Sequence, residues 1–143
     1  GTVLYIEDEP VNVLLMQALF ESLPDATVRL VVAGDGAQGL VEVGRQRPDL
    51  ILLDMNLPDM DGLSVLRALR REPDTADIPV IAVSADALPD QIRSALDTGI
   101  DAYWTKPLDL KRVQAELARR FPSSVQAAAA AGAAGSTSTR SDR

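Results

Sequence analysis

Asp49-Leu50-Ile51-Leu52-Leu53-Asp54-Met55-Asn56 decides the fold, because an unbroken aliphatic run stops abruptly on a carboxylate. Pro48 precedes it and Pro58 follows. A short apolar run between such breakers reads as a strand buried on both faces, which is the signature of a parallel sheet. In open parallel sheets the chemistry collects at the carboxyl ends of the strands, and Asp54 stands at such an end. Working outward, the pattern recurs. Val3-Leu4-Tyr5-Ile6 ends on Glu7-Asp8-Glu9, Val80-Ile81-Ala82-Val83 ends on Ser84, and Ala102-Tyr103-Trp104-Thr105 ends on Lys106-Pro107. Carboxylates, a hydroxyl and an ammonium are thereby delivered to one edge of one sheet.

The strand signals, Val3–Ile6, Thr27–Val32, Leu50–Leu53, Val80–Val83 and Ala102–Thr105, alternate with helix signals. Val11–Leu23 is the first helix, with Val11, Leu14, Leu15, Ala18 and Leu19 expected on its core face. Ala37–Arg47 and Leu63–Arg71 follow. Pro89–Thr98 closes on Gly99 as C-cap, and Leu110–Phe121 starts after the N-cap Asp109. Such alternation predicts an α/β doubly wound five-stranded parallel sheet, flavodoxin-like, of strand order 2-1-3-4-5, with five helices on its two faces. Gly34-Asp35-Gly36 lacks the spacing of a nucleotide-binding loop and is assigned to a turn. Pro58 is expected to stiffen the loop after Asp54, and Gly62 to permit its turn.

The 143 residues suit one domain, expected over residues 1–121, with an Ala/Gly/Ser/Thr tail of low complexity at 122–143. Hydrophobic residues make up 46% and aromatics only 3%, so the core should be aliphatic. Cysteine and histidine are both absent. That excludes disulfides, thiolate sites, His-dependent triads and phosphohistidine chemistry by this chain itself. It also fits a reducing, cytoplasmic setting. A net charge of −7 argues against unaided binding to nucleic acid or an anionic membrane. The start at Gly1-Thr2, directly on a strand, reads as a piece of a longer chain or as what remains after a tag is cleaved.

In the 2-1-3-4-5 order the first and third strands are neighbours, which brings Glu7 and Asp8 beside Asp54. Like charges there repel by roughly 4 kcal/mol per pair at about 4 Å in an effective dielectric near 20. Either the pKa values rise or a cation sits among them. Oxygen-only ligands favour a hard ion, Mg²⁺ above others. Lys106 suits a phosphoryl oxygen, and Ser84 can donate a hydrogen bond to another. Together they describe a phosphoryl-transfer site: a carboxylate nucleophile, a charge-neutralising metal and two donors.

At these residues the chain resembles the receiver domains of two-component response regulators, most of all those attached to hybrid sensor histidine kinases. The matching motifs are Glu7-Asp8, Asp54, Leu57-Pro58-Asp59-Met60-Asp61-Gly62, Ser84-Ala85 and Tyr103 with Lys106-Pro107, in that order across residues 3 to 121. The resemblance implies that Asp54 accepts a phosphoryl group from the phosphohistidine of a histidine kinase or histidine phosphotransfer protein. It implies that Asp8, Asp54 and the main-chain carbonyl of Asn56 ligate Mg²⁺, with Glu7 in the same acidic pocket. Ser84 and Tyr103 resemble the family's switch pair, and the Lys106–Pro107 bond is expected to be cis. Glu at position 7, where Asp is commoner, leaves Asp8 the better placed for direct contact with a metal.

A phosphorylation-dependent homodimer is expected through the fourth helix, fifth strand and fifth helix. There Lys111, Arg112, Arg119 and Arg120 are expected to meet Asp90, Asp97 or Asp101 of a second copy. Two alternatives stand beside the phosphorylated receiver. A pseudo-receiver used only for protein binding would not need Asp54, Ser84 and Lys106 together. An aspartate-nucleophile phosphohydrolase acting on small molecules would need a cap insertion that the chain lacks.

Overall fold

The computed structural model describes residues 1–24 and 28–122. In chain order its elements are β1 Thr2–Ile6, α1 Pro10–Glu21, β2 Arg29–Ala33, α2 Gly36–Gln46, β3 Leu50–Asp54, α3 Gly62–Arg71, β4 Val80–Ser84, α4 Pro89–Thr98, β5 Ala102–Thr105 and α5 Leu110–Arg120. All strand pairs are parallel and the order is β2-β1-β3-β4-β5, as the sequence predicts. β3 and β4 are buried along their whole length, which explains their uninterrupted aliphatic runs. β2 and β5 lie at the edges and are only partly buried.

Period-two alternation divides the core into two layers. Leu4, Ile6, Ile51, Leu53, Val80 and Ala82 pack with Val65, Leu66, Leu69 and Ala95 under α3 and α4. Val3, Tyr5, Leu50, Leu52, Ile81 and Trp104 pack with Met16, Leu19, Val113 and Leu117 under α1 and α5. No helix among the described residues is long and apolar enough to cross a membrane.

β2 runs from Arg29 to Ala33 rather than from Thr27 to Val32, because its register follows β1 from Thr2↔Arg29 to Ile6↔Ala33. Thr27 and the tail from 123 to 143 lie outside the described residues. The core face expected for α1 holds at Leu19 but not at the other four positions. Met16 and Leu19 are buried, whereas Val11, Leu14 and Leu15 are 67%, 63% and 50% exposed and Ala18 is exposed too. The helix is apolar around most of its circumference, so its periodicity does not single out one side.

Helix ends follow local chemistry. Asp35, Asp61 and Asp109 each accept a hydrogen bond from a first-turn amide of α2, α3 and α5. Gly99 ends α4 with φ 110, and Arg47 ends α2 with φ 49 despite carrying a side chain. The Lys106–Pro107 bond is cis.

Sequence reading missed Arg70. Its guanidinium donates to the carbonyls of Ala76 at 2.9 Å, Ile78 at 2.8 Å and Gly99 at 2.8 and 3.0 Å, and lies 3.5 Å from Asp101. One side chain thereby ties α3 to the segments leading into β4 and β5. Arg70→Ala should destabilise the domain by about 2–3 kcal/mol, since charge-assisted bonds to several carbonyls vanish at once. Arg70→Lys should recover less than half of that, because an ammonium cannot span the fork. Urea unfolding of the two variants checks both values.

Candidate functional site

The site is assembled by extending strands past their ends. Glu7 N donates to Ala33 O, Met55 N to Val83 O and Lys106 N to Ser84 O, at 2.8–2.9 Å, so the ladder carries the flanking residues into register. Alternation then sorts the side chains. Glu7, Asp54 and Lys106 lie two residues beyond Tyr5, Leu52 and Trp104, which face the α1–α5 layer. Ser84 lies two beyond Ala82, on the opposite side, where Tyr103 also packs.

Lys106 Nζ lies 3.1 Å from Asp54 Oδ2 and 2.9 Å from Glu7 Oε1, bridging two buried carboxylates. Asp54 Oδ1 accepts from Asn56 N at 2.9 Å. Glu7 accepts from Tyr5 OH at 3.0 Å and from Glu9 N at 3.1 Å. Ser84 Oγ accepts from Asp86 N at 3.0 Å and, more weakly, from Asn56 Nδ2 at 3.5 Å. Tyr103 OH donates to Asp86 O at 3.0 Å. The main chain of Asp86 therefore touches both hydroxyl groups. Beside them a cavity of about 240 Å³ opens between Asn56 and Asp61 on one side and Asp90, Ser94 and Tyr103 on the other.

Burial pushes the Asp54 carboxyl up to about 6, aided by the neighbouring Glu7 charge and opposed by Asn56 N and Lys106. Burial also works against ionised Glu7, but the donors Lys106 and Glu9 N outweigh it and hold that carboxyl below its usual range. Lys106 is raised, because its two anionic partners outweigh its own desolvation.

Glu7, Asp8 and Asp54 can each offer an oxygen within 4.8 Å of the others. Cis and trans ligands of a six-coordinate Mg²⁺ stand about 2.9 and 4.2 Å apart, so the set fits a small hard cation with little movement. Asp8 is exposed and the other two are buried.

The loop after β3 is held more firmly than its sequence shows. Asp59 accepts from Gly36 N at 2.8 Å and Ala37 N at 2.9 Å, clasping the first turn of α2. Asp35, read as part of a turn, is the side-chain cap of that helix. Gly62 is needed for close approach rather than for a turn: a Cβ there would meet Met55 Cα at 2.6 Å and Asp54 O at 2.9 Å. Tyr5 was also missed, although a hydroxyl on a doubly buried strand, two residues before an acid, is a readable sign of a paired group.

Residues 3–118 match the model of the family described as response regulator receiver domain. The chain belongs to that family. It is 41% identical over 113 residues to the "Probable transcriptional regulatory protein TcrX" of Mycobacterium tuberculosis, covering 78% of this chain and 46% of that protein. It is 36% identical over 124 residues to the signal transduction histidine-protein kinase BarA of Escherichia coli K12, covering 86% of this chain and 13% of the kinase. This receiver domain thus spans less than half of either relative. Among solved structures, it is similar to the receiver domain of the sensor histidine kinase PA1611 from Pseudomonas aeruginosa, which has magnesium coordinated in its active-site cleft. That likeness has 35% identity and a TM-score of 0.72, covering 82% of this chain and 94% of that one.

The raised Asp54 pKa fixes a sign for stability. A carboxyl near 6 in the fold and near 3.8 as an ordinary aspartate binds its proton more tightly when folded, so its stabilisation is complete below the lower value and lost as pH rises through the upper one. Glu7, lowered, acts oppositely at the acidic end. In chelator, Asp54→Asn should therefore gain on wild type by about 1–3 kcal/mol between pH 4 and 7. Urea unfolding across that range measures it, and a pH-independent difference would contradict the assignment.

Proposed function

We propose that Asp54 is the phosphoacceptor of this receiver domain and takes its phosphoryl group from the phosphohistidine of a histidine kinase or histidine phosphotransfer protein, in the cytoplasm. The observation that carries this reading is Lys106 Nζ set between Asp54 and Glu7 at the mouth of the sheet. An Asp54 carboxylate oxygen forms the new bond to phosphorus as the bond to the donor's imidazole nitrogen breaks, and the electron pair stays with that nitrogen. The donor histidine lies outside residues 1–143, which contain none.

Asp8, Asp54 and the Asn56 carbonyl are the residues assigned to hold Mg²⁺, with Glu7 beside them. When bound, the ion neutralises negative charge gathering on the phosphoryl oxygens. Lys106 is already poised to follow a phosphoryl oxygen. Ser84 supplies the second donor: its oxygen accepts from Asp86 N, and its own proton has no acceptor among the described residues. Movement of Ser84 towards Asp54 would give up the Asp86 contact, and Tyr103, held by the same residue, forms the other half of the switch.

The apolar surface of α1, led by Val11, Leu14 and Leu15, begins just after Asp8 and is the face assigned to the phosphodonor protein. The surface of α4, β5 and α5 is assigned to output and self-association. Within one chain, several of the charges expected to pair between copies already have neighbours of opposite sign. Arg119 and Arg120 pair with Glu116, Arg93 with Asp90, and Asp101 with Arg70. Arg112 stacks on Trp104, 5.1 Å from the ring centroid. Residues 1–121 are assigned to the receiver and 122–143 to a separate tail.

Acetyl phosphate with Mg²⁺ should add one phosphoryl group that hydroxylamine removes. Labelling that survives Asp54→Asn, read by intact mass, sinks the acceptor assignment. Millimolar Mg²⁺ should also raise the melting temperature, since binding at a hundredfold excess over Kd stabilises the fold by about 2.7 kcal/mol. Asp8→Ala should blunt that rise; an equal shift in both proteins would place the ion elsewhere.

A further inference from the structure

We propose that Tyr5 is a positioning residue for phosphoryl transfer at Asp54, its buried hydroxyl fixing the Glu7 carboxylate on Lys106 and leaving the cation to Asp8 and Asp54. The proposal rests on the reading of Asp54 as acceptor. Tyr5 is 1% exposed and sits in the middle of the sheet, in a layer whose other buried members are all apolar, among them Leu50, Leu52, Ile81, Met16 and Trp104. A phenolic hydroxyl buried there is costly unless it is paired. Its partner is Glu7 Oε1 at 3.0 Å, two residues along the same strand face. Packing alone does not force this placement. A cavity of about 50 Å³ lies against the ring, bounded by Asn12, Leu15, Met16 and Leu110.

The bond completes the environment of Glu7. A carboxylate has about four lone-pair directions. Oε1 receives Tyr5 OH and Lys106 Nζ, and Oε2 receives Glu9 N at 3.1 Å and Lys106 Nζ at 3.2 Å. Tyr5 OH thereby takes up a direction on Oε1 that would otherwise be open to a cation. Asp8 has no hydrogen bond or ion pair among the described residues, although its oxygen comes within 4.8 Å of those of Glu7 and Asp54. The phenol thus separates two duties that neighbouring acids would otherwise share: Glu7 holds the lysine, and Asp8 with Asp54 faces the metal.

Removing the hydroxyl frees Oε1. The carboxylate then either draws Lys106 off Asp54 or swings towards the cation. Both movements increase the negative charge available to Mg²⁺, and both take Lys106 away from the place where it meets a phosphoryl oxygen. Binding and chemistry therefore shift in opposite directions, which general loosening of the fold does not produce.

Tyr5→Phe keeps the ring and deletes only the oxygen. Mg²⁺ titrations followed by the emission of Trp104, the one tryptophan of the chain, should give a Kd lower by about three- to tenfold, the scale of a single hydrogen bond. The rate constant for labelling by acetyl phosphate at saturating Mg²⁺ should fall by about the same factor. In a Glu7→Ala background the substitution should change neither constant, and circular dichroism confirms that each variant is folded. Constants that move together or stay unchanged overturn the proposal, as does the same split in the Glu7→Ala background. If the wild type takes no phosphoryl group, the acceptor reading fails, whereas the Mg²⁺ titrations in the two backgrounds still decide the role of Tyr5.

Discussion

One ammonium shared by two buried carboxylates is the constraint on which the rest of the structure turns. Asp54 and Glu7 are almost wholly removed from water, and Lys106 lies within 3.1 Å of both. Burying like charges side by side is unfavourable, and the lysine compensates them only where three strand ends meet. That meeting requires β1 beside β3, and β5 far enough along the sheet for Lys106 to reach back. The parallel order β2-β1-β3-β4-β5 supplies this, because the switch point opens a crevice between β1 and β3. Asp54 and Glu7 then diverge in protonation although they are neighbours, one raised by burial and the other held down by more donors.

The strands and the chemistry at their ends were legible because both rest on short-range rules. An aliphatic run stopped by an acid means a buried strand and an exposed edge, and period two decides which residues share a side. Asp54, Glu7, Lys106 and Ser84 could be placed at one edge on that basis, whereas the pairing of Ser84 with Tyr103 came from the family resemblance. The core face of α1 could not. Val11, Leu14 and Leu15 form as good an apolar stripe as Met16 and Leu19, and only the position of the sheet chooses between them.

Long-range polar contacts were hidden for a different reason. Arg70 reaches carbonyls from two separate loops, and nothing in its neighbourhood along the chain marks it. Asp59 could be quoted within a motif without any sign that its partners are the amides of Gly36 and Ala37. Arg119 and Arg120, expected from the sequence to face a second copy, also find Glu116 on their own helix. Side-chain partners more than a turn away are set by the assembled fold, and the sequence records them only as residue types.

The clasp of Asp59 on α2, together with the close approach of Gly62 to Met55, has a consequence for how this chain can vary. The span from Asp54 to Gly62 is anchored at its start by the sheet, in its middle by another helix and at its end by its own backbone. An inserted or deleted residue would break at least one anchor. The turn between α2 and β3 is tied instead to the start of β1, through Asp49 N to Thr2 O and Thr2 N to Asp49 Oδ2, at the end of the sheet away from the crevice. A change of length is thereby least tolerated in this loop, at the border of the acidic cluster.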